Sequence, residues 1–283
     1  MTAKLLPLVT EHHTYVEPFG GGASLLLAKP PSLVEVYNDL DEGLYSFFRV
    51  LADPDLFPQL MRRVDILPYS RRLYGECCAT WAGQDDPVER AWRWFVVARQ
   101  SFSGRLGEGW SFAVTASYRG MAGSVSTWLS CLAMLPAIHE RLSRVQVECH
   151  DWRQILETYD TPRTFFYLDP PYVAETRRGG GYQHEMTTDD HRDLVERLLA
   201  LQGKVLLSGY AHQVYAPLEK AGWERRSFRT ACYAAGRTRG TGIQGDGAAT
   251  RLQPRTETAW RNPAALVSAQ TRMVLEAADA AMI

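Results

Sequence analysis

The chain has 283 residues, 46% of them apolar and 22% charged, with a formal net charge of −1. That is room for one large domain, or one domain carrying an insertion. The lack of any run of eighteen apolar residues argues against a membrane span, the short apolar start argues against a signal peptide, and the balanced charge gives no overall pull toward a polyanion. Five cysteines without a CxxC pair fit free thiols in a reducing cytoplasm, and the histidines show no zinc-like spacing with them, so no metal is expected. The bases are nearly all arginine, since lysine occurs only at Lys4, Lys29, Lys204 and Lys220. A planar guanidinium suits phosphate and base edges, but a coding bias explains the excess equally well.

In chain order, "YVEPF" (15–19) reads as a short buried strand that ends at the turn Gly20-Gly21-Gly22. "ASLLLA" (23–28) opens a helix, and "LVEVYNDLD" (33–41) is a second strand that ends in acids. Strand, glycine turn, helix, strand is a βαβ unit. From about 42 to 100, apolar residues recur at helical spacing, as in Leu44, Phe47, Phe48 and Leu51. Residues 101–128 lose that period and read as a loop or irregular hairpin. A helix follows in "LSCLAMLPAIHERLS", then a strand in "VQVEC" (145–149). "FFYLDPPY" (165–172) is a buried strand with a rigid exit, followed by a polar glycine-rich loop. Thr187 and Asp190 have the spacing of a capping box ahead of a helix over 187–202. "KVLLSG" is a strand and "QVYAPLEKAG" a helix. "WERRSFRT" and "TETAWRN" make the last two strands, on either side of a disordered-looking polar stretch. The alternation predicts an α/β fold, a largely parallel sheet with helices on its faces and ligands at the carboxyl ends of the strands.

Two constellations fall at such ends. In the first, the glycine turn is followed by Asp39 at the next strand end, where an acid can accept from a ribose diol. Leu25 stands where a dinucleotide fingerprint needs glycine or alanine, and no Lys-Ser or Lys-Thr pair follows, so neither a dinucleotide nor a phosphate loop fits. A nucleoside without pyrophosphate fits better; a plain strand–helix turn is the competing explanation. In the second, two prolines stiffen the corner at Asp169-Pro170-Pro171-Tyr172. The Asp169 carboxylate and the Pro170 carbonyl would then face one point, as suits the two hydrogens of an exocyclic amine on a planar base, with the Tyr172 ring to stack on it.

Together "YVEPFGGGAS", "NDLD", "FFYLDPPY" and "RTETAWRNP" resemble the ordered motifs of Dam-type DNA adenine-N6 methyltransferases, over roughly residues 5 to 265. The resemblance implies a class I S-adenosylmethionine-dependent methyltransferase fold: a seven-stranded, mostly parallel sheet with helices on both faces. It also implies S-adenosylmethionine as methyl donor and double-stranded DNA as partner, in a cytoplasmic monomer. Residues 1–55 and 137–283 would form the catalytic domain, and 56–136 an inserted helical and target-recognition region. By the same resemblance Glu17, Pro18, Phe19, Gly20 and Gly22 line the methionine and ribose side of the donor, and Asp39 binds the ribose hydroxyls. "HDWRQIL" points to Asp151 and Trp152 beside the donor's adenine, and Asp169, Pro170, Pro171 and Tyr172 form the catalytic motif, with Asp169 also facing the donor.

Family members usually begin with a glycine-lysine motif close to "PGGK". This chain starts at "MTAKLLPL", which resembles the helix after that motif, and Lys4 does not replace it. Because the target amine lies inside a duplex, the base must be flipped out onto Tyr172. DNA contacts are expected from Arg105, Trp110, Tyr118 and Arg119, and from Arg177 and Arg178 beside three glycines. Two alternatives stay open at this level: cytosine-N4 methylation, and a non-catalytic DNA-binding remnant of the family.

Overall fold

The computed structural model describes residues 1–102, 106–176, 184–232 and 253–267. In chain order its elements are α1 (Thr2–Leu5), β1 (Thr14–Glu17), α2 (Ser24–Ala28), β2 (Val34–Asn38), α3 (Glu42–Ala52), α4 (Phe57–Val64), α5 (Arg71–Thr80), α6 (Pro87–Gln100), β3 (Ser117–Tyr118), β4 (Met121–Ala122), α7 (Gly123–Leu142), β5 (Gln146–Glu148), α8 (Trp152–Tyr159), β6 (Thr164–Leu168), α9 (Thr188–Ala200), β7 (Lys204–Gly209), α10 (Ala216–Lys220), β8 (Glu224–Cys232), β9 (Gln253–Arg261) and α11 (Pro263–Leu266). The polar stretch between β8 and β9 lies outside the described residues.

Seven strands form one sheet in the order β5-β2-β1-β6-β7-β9-β8. β1 runs parallel to β2 and β6, β6 parallel to β7, and β7 antiparallel to β9. From β1 the chain steps outward one way to β2 and β5, and later the other way to β6 and β7. The gap between the carboxyl ends of β1 and β6 is therefore a topological switch point, where open α/β sheets bind their ligands.

Successive strand residues face opposite sides of a sheet, and here the two sides differ in chemistry. Val16, Val36, Phe166, Leu168, Val205 and Leu207 share an apolar core with Trp152, Ile155 and Leu156 of α8, Leu194, Val195 and Leu198 of α9, and Leu218 of α10. The other side carries Tyr15, Glu17, Glu35, Tyr37, Phe165 and Tyr167, all buried. There α2 closes over the sheet, its Leu26 N–H donating to Glu17 at 2.8 Å. The capping box of α9 is present in full: Thr187 and Asp190 bond each other's backbone N–H.

The chain divides into two compact units. The first holds the described residues within Met1–Asp41, Glu148–Thr230 and Thr256–Ile283, and with them the centre of the sheet. The second holds those within Glu42–Val147 and Ala231–Arg255. Inside it, Phe47 stacks on Phe95 at 4.8 Å and Trp128 tilts against Phe95 at 5.3 Å. Residues 123–128, expected as loop, are the first turns of α7. Their period is hidden because Thr127 and Ser130 turn their hydroxyls back onto the carbonyls of Gly123 and Ser126, which lets polar residues stand inside a helix.

On the polar side Lys29 Nζ lies 2.6 Å from Glu35 Oε1, with both side chains buried, and 4.4 Å from the Tyr15 ring centre. Breaking such a pair from one side costs more than the pair contributes. Lys29→Ala should lower stability by about 3–5 kcal/mol in urea unfolding, whereas Lys29→Met with Glu35→Leu should recover most of that loss.

Candidate active site

β1 stops at Glu17, and the chain turns through Pro18, Phe19 and the three glycines. The turn is tied to β2 at several points. Gly20 presses so closely on the Tyr37 ring that a Cβ there would lie 2.2 Å from it. Gly21 has φ 49°, in the left-handed region that glycine favours. Its N–H donates to Asp39 Oδ2 at 2.8 Å, and its carbonyl accepts from the Tyr37 hydroxyl at 2.8 Å. Asn38, fully buried, donates to the carbonyls of Pro18 and His150 and accepts the His150 N–H at 2.8 Å. Ala23, also buried, closes the turn at φ 52°, a backbone that costs an alanine about 1–2 kcal/mol.

The turn suits a nucleoside-bearing donor. A Cβ on Gly21 would meet nothing within 4 Å, and one on Gly22 would meet only Ser24 Oγ at 3.9 Å, so open ground lies above the loop. Asp39 accepts one backbone N–H on each oxygen, from Gly21 and from Asp41 at 2.9 Å. Each oxygen keeps a lone pair for a vicinal diol. Burial pushes the Asp39 pKa up, and the two N–H bonds oppose that rise. Phe19, half-buried, tilts against Trp152 with ring centres 6.0 Å apart. Trp152 itself belongs to the core. Asp151 is exposed and caps α8 through the Arg153 N–H, with the Arg153 guanidinium 3.2 Å from its other oxygen.

One strand over, β6 delivers Asp169, Pro170, Pro171 and Tyr172. The register pairs Val16 with Phe166, which sets Glu17 beside Tyr167 and the glycine turn beside Asp169. Water reaches Asp169, yet protein surrounds it closely enough that burial raises its pKa, against hydrogen bonds from Ser208 and Tyr172 that lower it. Pro170 is buried and Pro171 half-buried, while the Tyr172 ring meets Tyr210 edge-on at 4.7 Å. Glu17 Oε1 accepts from the Tyr15 hydroxyl at 2.7 Å and from Leu26 N–H, but burial dominates and pushes its pKa up to about 8.

Sequence reasoning passed over Tyr37, Asn38, Ser208 and Tyr210. Each stands at or next to the carboxyl end of β2 or β7, the strands just outside the β1–β6 pair, and a polar residue ending an apolar run such as "KVLLSG" is the signal that could have found Ser208.

The candidate DNA residues of the second unit are placed as follows. Trp110 donates to Gln100 Oε1 at 3.1 Å and packs against Tyr69 at 5.2 Å, with the Arg71 guanidinium 5.0 Å from its ring. Arg119 sits in the β3–β4 turn at φ 55°, and its guanidinium is engaged by Ser126 Oγ, the Ser126 carbonyl and Ser130 Oγ. Tyr118 is 64% exposed. Arg105, Arg177 and Arg178 lie outside the described residues. Among the described residues no group of side chains suits a metal ion, and no helix is long and apolar enough to cross a membrane.

A mostly parallel seven-stranded sheet with helices on both faces, and this turn at its switch point, define a class I S-adenosylmethionine-dependent methyltransferase. Residues 3–221 match the D12 class N6 adenine-specific DNA methyltransferase family, and the chain belongs to that family. It is thus an S-adenosylmethionine-dependent enzyme of DNA adenine-N6 methylation. A comparison with curated proteins finds no match.

The Glu17 carboxyl gives a pH prediction. Its folded pKa of about 8 lies above the ordinary 4.5, so the folded state holds a proton that the unfolded state releases between those values. Stability from this group is therefore full below about 4.5 and falls as pH rises toward about 8. Urea midpoints of the wild type should drop between pH 5.5 and 8 more steeply than those of Glu17→Gln; equal slopes would refute a neutral Glu17.

Proposed function

We propose that the β1–β6 switch point receives an adenine flipped out of duplex DNA, and that Asp169, Pro170 and Tyr172 hold it there. The observation that carries this reading is the placement of the Asp169 corner and the glycine turn on neighbouring parallel strands, at the same end of the sheet. Glu17, Pro18, Phe19, Gly20, Gly22 and Asp39 would hold the methyl donor, with Trp152 as apolar backing and Asp151 at the outer edge. S-adenosylmethionine, when bound, supplies an electrophilic methyl group on its sulfonium.

The chain's own part is to make the amine nucleophilic. Adenine's N6 lone pair is delocalised into the ring. Hydrogen bonds from that amine to the Asp169 carboxylate and the Pro170 carbonyl would draw the nitrogen toward tetrahedral geometry and localise the pair. Asp169 works here as the anion that stabilises positive charge on nitrogen, and a raised pKa also improves it as acceptor of the proton released afterward. Pro171 stiffens the corner, and the Tyr172 ring, steadied by Tyr210, offers a stacking face.

Target recognition is assigned to the second unit, following the expected inserted region over 56–136. The exposed Tyr118 on the β3–β4 hairpin is its strongest candidate contact, because Arg119 and Trp110 have partners within their own unit. Roles for Arg105, Arg177 and Arg178 rest on the sequence alone. A cytoplasmic monomer acting on double-stranded DNA completes the reading.

Incubation with duplex DNA and methyl-labelled S-adenosylmethionine should place label in N6-methyladenine after digestion to nucleosides. Label in N4-methylcytosine, or none, would sink it. Asp169→Ala should lower turnover by about a hundredfold or more. Duplex affinity in a filter-binding assay should change by less than about threefold, since phosphate contacts dominate it.

A further inference from the structure

Ser208 lies at the carboxyl end of β7, next to β6, and is 1% exposed. Its Oγ stands 2.7 Å from Asp169 Oδ1, 3.2 Å from the Tyr167 hydroxyl and 3.2 Å from the Leu168 carbonyl. A serine has one proton to give, and the shortest contact is to the carboxylate, where the bond is charge-assisted. The Tyr167 hydroxyl, which burial and the nearby Asp169 charge keep protonated, is a second and longer acceptor for that same proton. Ser208 thus bridges Tyr167 and Asp169 on the sheet face that also carries Glu17.

We propose that Ser208 is a positioning residue for methyl transfer: it fixes the rotation of the Asp169 carboxylate so that the remaining lone pairs meet the adenine amine. This rests on the reading of Asp169 given above. Two prolines fix the backbone of that corner but leave the side-chain torsions of Asp169 free, so a second anchor is required to aim the oxygens. The Tyr172 hydroxyl also bonds the carboxylate, but Tyr172 belongs to the same corner as Asp169, whereas Ser208 anchors it from a separate, central strand. A hydroxyl that donates to the carboxylate also favours its ionised form. The other charged or titratable groups acting on Asp169 and its two tyrosines are Glu257 of β9, Glu17 of β1 and the Met1 amino group, and Ser208 is the strongest of the influences that hold the Asp169 pKa down.

The test compares wild type, Ser208→Ala and Ser208→Cys, the last keeping a weak donor in nearly the same volume. Turnover should fall about ten- to a hundredfold in Ser208→Ala with KM for DNA and donor little changed, and Ser208→Cys should fall between. The acid limb of the turnover profile should move to higher pH, because loss of the donor raises the Asp169 pKa. In the donor-free protein, carbon-13 NMR of the Asp169 carboxyl should show it titrating at higher pH in Ser208→Ala, with Ser208→Cys intermediate. An unchanged Asp169 titration and an unchanged acid limb, in variants that melt like wild type, would overturn the assignment and leave Ser208 a packing residue. Should Ser208→Ala fail to fold, the same shift or its absence in Ser208→Cys decides. A wild-type protein that forms no N6-methyladenine would instead overturn the underlying reading, and the NMR comparison would still show whether Ser208 governs Asp169.

Discussion

Parallel pairing of β1 with β6 places two carboxylates, Glu17 and Asp169, at adjacent strand ends. The Asp169 charge raises the cost of ionising Glu17, and burial raises the pKa of both. Much of the surrounding structure answers this constraint. Tyr15 and the Leu26 N–H satisfy Glu17, Ser208 and Tyr172 satisfy Asp169, and Asn38 and Tyr37 lock the turn that lies over them. The sheet divides its labour accordingly, with aliphatic residues against α8, α9 and α10 on one side and tyrosines and acids on the other.

Much of the fold was legible because its strands obey simple rules. A central parallel strand is buried on both faces, so "TFFYL" reads as a continuous apolar run without knowledge of its partners. The capping box at Thr187 and Asp190 is a local signal and appears as such. The start of α7 was hidden, since Ser124, Ser126, Thr127 and Ser130 erase the apolar period that marks a helix. Strand order was not written in any one segment; it depends on which strand ends meet across more than a hundred residues.

The site shows the same division. Residues whose chemistry requires an unusual backbone announce themselves: glycines at a tight turn, prolines after an acid. Those that work by holding other residues do not. Ser208 and Asn38 look like ordinary polar residues at strand ends, and only their distances to Asp169, Pro18 and His150 reveal what they hold. Arg119 is the reverse case: an arginine in a glycine-rich stretch suggests a nucleic-acid contact, whereas its guanidinium fastens the hairpin to α7.

Tyr37 meets the glycine turn twice, with one edge of its ring against Gly20 and with its hydroxyl on the Gly21 carbonyl. Substitutions at 20 and 37 therefore cannot be judged separately. A smaller side chain at 37 would make room for a methyl at 20 while removing the anchor of 21, so the pair is epistatic, with effects that do not sum. Natural drift at this loop should proceed by paired exchanges, and a designer who wants a different donor pocket must redraw both positions at once.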